Sequence, residues 1–148
     1  MSYLLGLKNT NTQSVVTNET LNLGSVYRKF CRKNQCGIPV FSTTGTSVTL
    51  QHSGIYHITA NITFTAPTAG VVIFQLAENE TVIPGAIASE TITTATTETK
   101  TTSIDYLVIV DKGCVLGTPT TITKSLSLIN AGVGATISNV VFNIVKEV

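Results

Sequence analysis

Residues 54–66, GIYHITANITFTA, decide the reading of this chain. Tyr56, Ile58, Ala60, Ile62 and Phe64 are apolar, while the interleaved His57, Thr59, Asn61, Thr63 and Thr65 are polar. A period of two held for about ten residues predicts a strand with one face in a core and one turned outward. Gly54 opens the stretch and Pro67 closes it, so chain punctuation agrees with the pattern.

Shorter segments on either side read the same way. Thr46–Leu50 is a strand, followed by a turn through Gln51-His52-Ser53. After Pro67-Thr68-Ala69-Gly70, the run VVIFQLA is apolar on both phases, and Glu78-Asn79-Glu80-Thr81 turns it into a hairpin that Pro84-Gly85 is expected to stop. Residues 86–103 are threonine-rich and alternate weakly, as an exposed strand and loop do. Ile104–Val110, Thr121–Ile129 and Ala135–Val145 are further strands. Turn signals recur every 8 to 12 residues and no segment has helical periodicity, so the expected fold is all-β, an antiparallel sandwich or jelly roll of nine or ten strands.

Two segments, VVIFQLA and NVVFNIV, are apolar on both faces. A sandwich strand ordinarily wets one face. Double-sided apolar character therefore predicts an outer surface covered by a second copy in a closed symmetric oligomer, or a central strand under a long loop.

The 148 residues suffice for one core. Only 11% of them are charged, against roughly 25% in an average soluble domain. Threonine, at roughly one position in six, takes over the role of solvating exposed strand faces. A net charge of +1 gives no footprint for nucleic acid, and no apolar run reaches the ~18 residues of a membrane helix. The first residues, MSYLLGLKNT, do not read as a secretion signal. Residues 1–25 are expected to form an N-terminal arm or short edge strands, with attachment of the domain, residues 26–148, as the arm's role.

Residues 26–41, VYRKFCRKNQCGIPVF, read as two short strands around the turn Arg32-Lys33-Asn34-Gln35. Such a hairpin sets Cys31 opposite Cys36, a candidate disulfide whose alternative is two reduced structural cysteines. Arg28, Lys29, Arg32 and Lys33 form the one charge cluster: a candidate docking patch for an acidic partner, or a solvated strand end.

Catalytic signals are sparse. His52 and His57 lie near Asp105, Asp111 and Cys114 only if the fold brings them together, and no nucleophile elbow, HExxH motif or phosphate loop occurs. Asp105, Asp111, Glu78 and Glu80 are too dispersed for a calcium loop, and three cysteines with two histidines give no closed zinc set. No catalytic residue, cofactor or metal is expected; His57 reads as an exposed or interface side chain.

The order of features resembles the C1q/TNF-like trimeric jelly roll. The resemblance rests on Phe41, on the Gly54-Ile55-Tyr56 start of the long alternating strand, on VVIFQLAENETVIPG and on the apolar last strand, and it covers residues 38–148. The VVIFQLAENETVIPG hairpin is similar to that of the bacterial branch typified by the BclA spore-surface domain, although collagen-like Gly-x-y repeats are lacking. The resemblance implies a homotrimer serving as a non-enzymatic surface knob. The expected setting is a bacteriophage virion, as a head-fibre or capsid-decoration protein attached through the arm. A spore or cell exterior is the alternative setting, and adhesion to a receptor or host glycan the alternative role.

Overall fold

The computed structural model describes residues 3–31, 40–41, 45–115, 118–121 and 123–147. Thirteen strands are assigned among them and no helix: β1 (Tyr3–Asn9), β2 (Gln13–Val15), β3 (Ser25–Cys31), β4 (Val40–Phe41), β5 (Val48–Leu50), β6 (Gly54–Thr65), β7 (Gly70–Glu78), β8 (Thr81–Ile92), β9 (Lys100–Val110), β10 (Lys112–Val115), β11 (Thr118–Thr121), β12 (Lys124–Asn130) and β13 (Ala135–Lys146). One sheet runs β3-β1-β13-β6-β9, with β2 also paired to β13; the other runs β4-β5-β12-β7-β8; β10 and β11 form a separate hairpin. The chain passes from one sheet to the other between β3 and β4, β5 and β6, β6 and β7, β8 and β9, β12 and β13 and, by way of the β10–β11 hairpin, β9 and β12. This repeated crossing is what makes the sandwich a jelly roll and not a meander.

The expected strand at residues 54–66 is β6, and its alternation is the one observed. Tyr56, Ile58, Ala60, Ile62 and Phe64 are buried, and the polar residues between them face outward. Opposite them β7 contributes Val72, Phe74 and Leu76, and β12 contributes Leu126 and Leu128. Phe64 and Phe74 meet edge to face across the two sheets, with ring centroids 5.2 Å apart, a contact worth about 1 kcal/mol beyond its area.

Three expectations are corrected. Residues 3–25, expected as an arm or short edge strands outside the domain, are built into it. β1 pairs with β13 on one side and β3 on the other, and Leu5, Leu7, Val15, Leu21 and Leu23 are core residues. Residues 18–21 then lie along β12, where the short β5 leaves its edge open: Leu21 N–H donates to the Leu128 carbonyl and Asn130 N–H to the Glu19 carbonyl. Gly24 closes this segment at φ +81°, with its α-carbon so near the Lys8 carbonyl that a β-carbon has no room.

Secondly, the strands at the two ends of residues 26–41 do not pair with each other. β3 belongs to the first sheet and β4 to the second. The candidate Cys31–Cys36 disulfide falls on Cys36, which with Arg32 and Lys33 lies outside the described residues.

Thirdly, Pro84-Gly85 does not stop β8. The strand continues to Ile92 through a register shift opposite Leu76. β8 is an edge strand, where a proline without an N–H breaks no ladder, and Gly85 at φ +91° supplies the left-handed bulge residue.

Candidate functional site

In a sheet, residues paired across strands stand in rows on one face. On the outer face of the six-stranded sheet the registers align Phe30, Leu4, Val145, His57 and Leu107 in one row, and Ile55 with Ile109 in the next. Phe30 is 60% exposed, Leu107 57% and Ile109 51%, while Leu4, Ile55 and Val145 are half-buried. Six apolar side chains thus form one band on this face. Contiguous exposed apolar side chains, as distinct from single scattered ones, are what marks a contact surface.

The row on the other side of Leu4 and Val145 is polar. It runs from Arg28 through Gly6, Asn143 and Thr59 to Asp105. Tyr27, extruded by the bulge between β1 and β3, lies across Gly6, and its hydroxyl is 2.8 Å from Asn143 Oδ1. A β-carbon on Gly6 would stand 2.8 Å from that ring, so the glycine is what lets the ring lie flat. The Lys8 ammonium is 5.5 Å and the Arg28 guanidinium 6.0 Å from the ring centre, within cation–π range.

His57 stands in the middle of the apolar row. Its Nε2 bonds the Asp105 carboxylate, and the Glu147 carboxylate lies 3.8 Å from its Nδ1. The imidazole and both carboxylates stand on an open sheet face: 35% of the His57 side chain and 68% of the Asp105 side chain are exposed. A general base needs a substrate held against it in a water-excluding site; a flat face provides neither.

The other residues singled out from sequence do not join this cluster. His52 and Asp111 are exposed outside the two rows. Cys114 lies on β10, with its side chain outside the described residues. Arg28 and Lys29 are exposed on β3, at the sheet edge. Among the described residues no group of three or more His, Cys, Asp or Glu is placed to hold a metal ion. Sequence reading missed Phe30, Leu107, Ile109 and Glu147. The apolar run at 104–110 was the available signal for two of them, since Leu107 and Ile109 occupy the phase opposite buried Val108 and Val110.

Two loop regions have defined geometry. A groove of about 530 Å³ is lined by Asn9, Asn11, Gln13, Asn22, Gly24 and their neighbours. Its amides bond one another: Gln13 Nε2 donates to the Asn22 carbonyl at 2.9 Å, and Asn22 N–H donates back to Gln13 Oε1 at 2.9 Å. In the loop between β8 and β9, the Glu98 carboxylate accepts N–H bonds from Thr94 at 2.9 Å and Thr93 at 2.7 Å, and the Thr93 hydroxyl at 3.0 Å. These bonds, the Thr94 N–H foremost, lower the pKa of Glu98 from 4.5 to about 2.

No family model matches the sequence. No curated protein matches it either. Solved structures do resemble the fold along its whole length. Murine APRIL at pH 8.5 superposes with a TM-score of 0.65 at 12% identity, covering 99% of both chains. Eiger TNF from S. frugiperda gives 0.59 at 12% identity over 100% of this chain and 92% of its own. The globular domain of zebrafish complement 1qA gives 0.59 at 9% identity over 100% of this chain and 98% of its own. At these identities the likeness establishes a C1q/TNF-like jelly roll and nothing finer.

Proposed function

We propose that this chain is a non-enzymatic, homotrimeric surface module: a knob that decorates a particle, foremost a bacteriophage virion as a head-fibre or decoration protein. The carrying observation is the apolar band on the outer face of the six-stranded sheet, which a monomer leaves in water. Trimerisation is what the C1q/TNF-like resemblance implies, and the band is apolar surface available for it. A threonine-rich, weakly charged exterior suits a display scaffold better than an electrostatically steered binder. The N-terminal residues serve this module as sheet strands.

Light scattering over a range of protein concentrations tests the assembly. A mass of three times 15.6 kDa is expected, and a monomer at tens of micromolar overturns the reading. Immunogold labelling of purified virions tests the setting: label on heads or tails supports it, and label confined to spores or cell surfaces replaces it with the alternative.

Receptor or glycan binding on the same scaffold is the second reading, favoured by the polar groove at Asn9, Asn11 and Gln13. Saturable binding on a glycan array that is lost in Asn11→Ala supports it.

A further inference from the structure

We infer that the outer sheet face is matched to itself in register, so that Arg28 of one copy pairs with Asp105 of the partner subunit while Phe30 packs against Leu107 of the partner subunit. This rests on the trimeric reading above and specifies how its interface is built. The argument begins with the rows. Arg28 and Asp105 close the two ends of one row, Arg28–Gly6–Asn143–Thr59–Asp105. Phe30 and Leu107 close the two ends of the adjacent row, Phe30–Leu4–Val145–His57–Leu107. In both rows one end lies on edge strand β3 and the other on edge strand β9.

Four inter-strand spacings separate those edges, about 19 Å at ~4.8 Å each. The guanidinium and the carboxylate therefore do not meet within one chain, and neither do the phenyl ring and the leucine. A cyclic ring joins unlike edges of successive copies. If its axis runs along the strands, rotation leaves each row at its own height. The β3 end of a row then arrives beside the β9 end of the same row in the next copy. Cation meets anion in one row and aromatic ring meets aliphatic side chain in the row beside it, without any shift along the axis. A one-row slip one way would set Arg28 against Leu107, and a slip the other way would set Phe30 against Asp105; either buries charge on apolar surface. The two rows together fix the register, which neither does alone. His57 holds the Asp105 carboxylate in place on its own strand pair, so the anion is positioned before the partner arrives.

The test is a charge exchange read by sedimentation velocity as the concentration at which trimers half-dissociate. Arg28→Glu and Asp105→Arg are each expected to raise that concentration about tenfold or more, and Arg28→Glu/Asp105→Arg in one chain to recover most of the loss. Circular dichroism and thermal melting of each variant show whether the monomer still folds. Two folded single variants with a double variant no better than their product overturn the pairing while leaving the trimer intact. A wild-type chain that sediments as a monomer at every concentration overturns the trimeric reading itself, and this inference with it.

Discussion

Asn130 is wholly buried, yet it is polar and sits where Asn-Ala-Gly reads as a surface turn. Its Nδ2 donates to the Val15 carbonyl at 3.0 Å and the Val133 carbonyl at 2.9 Å, and its Oδ1 accepts the Gly132 N–H at 3.0 Å. One side chain thus ties the N-terminal segment to the turn before β13. Asn130→Ala leaves three backbone groups without that partner and is expected to destabilise the fold by about 2–4 kcal/mol, read as a lower urea midpoint at unchanged slope. Glu98 supports a second residue-scale prediction. Because its folded pKa lies below the ordinary 4.5, at about 2, its stabilisation of the 93–98 loop is complete above pH 4.5 and fades as the pH falls toward 2. NMR titration should place the Glu98 midpoint near 2, with the Thr93 and Thr94 amide shifts following it; a midpoint near 4.5 would show that the three bonds do not form in solution.

At the scale of elements, β13 is the strand on which the first sheet depends. It carries β6 along one side and β1 and β2 along the other. Deleting residues 1–24 removes β1 and β2, exposes that side of β13 and uncovers Phe142 and Ile144 in the core. The truncated chain is expected to lose cooperative unfolding and to aggregate through the bare strand edge, seen as loss of a sigmoidal thermal transition. A truncation that melts like the full chain would restore the reading of this segment as a detachable arm. Its alternating leucines, Leu5 and Leu7 then Leu21 and Leu23, were legible as short strands. Their position next to the last strand of the chain was not, because no local pattern encodes a partner more than a hundred residues away. The same limit explains β3 and β4. Two short strands flanking a polar stretch read as a hairpin, and only their pairing partners reveal that they lie in different sheets.

For the whole molecule, the question is whether the exposed band suffices for assembly. Covering ~300 Å² of apolar surface contributes about 7 kcal/mol per chain at 25 cal/mol/Å², while association costs an estimated 4–15 kcal/mol. The band alone comes close to offsetting that cost, so changes within it should decide the oligomeric state. Leu107→Lys places a charge within the exposed band and, being an outward residue of an edge strand, should leave the monomer fold intact. The expected result is a monomeric mass at concentrations where the wild type is trimeric, with unchanged far-UV circular dichroism. A trimer that survives Leu107→Lys would place the interface on another face.

The sequence by itself determined the all-β class, the course of β6 and the side of β6 that enters the core, because a period of two is a local signal and burial follows it. It also marked Ile104–Val110 as apolar and His57 as outward. Tertiary structure alone decided that Leu107, Ile109, Phe30 and Leu4 share one face, that His57 meets Asp105 and Glu147, and that the opening residues are core strands. Each of these depends on register between strands far apart in the chain. Register is set by the global fit of the two sheets, and no stretch of sequence states it alone.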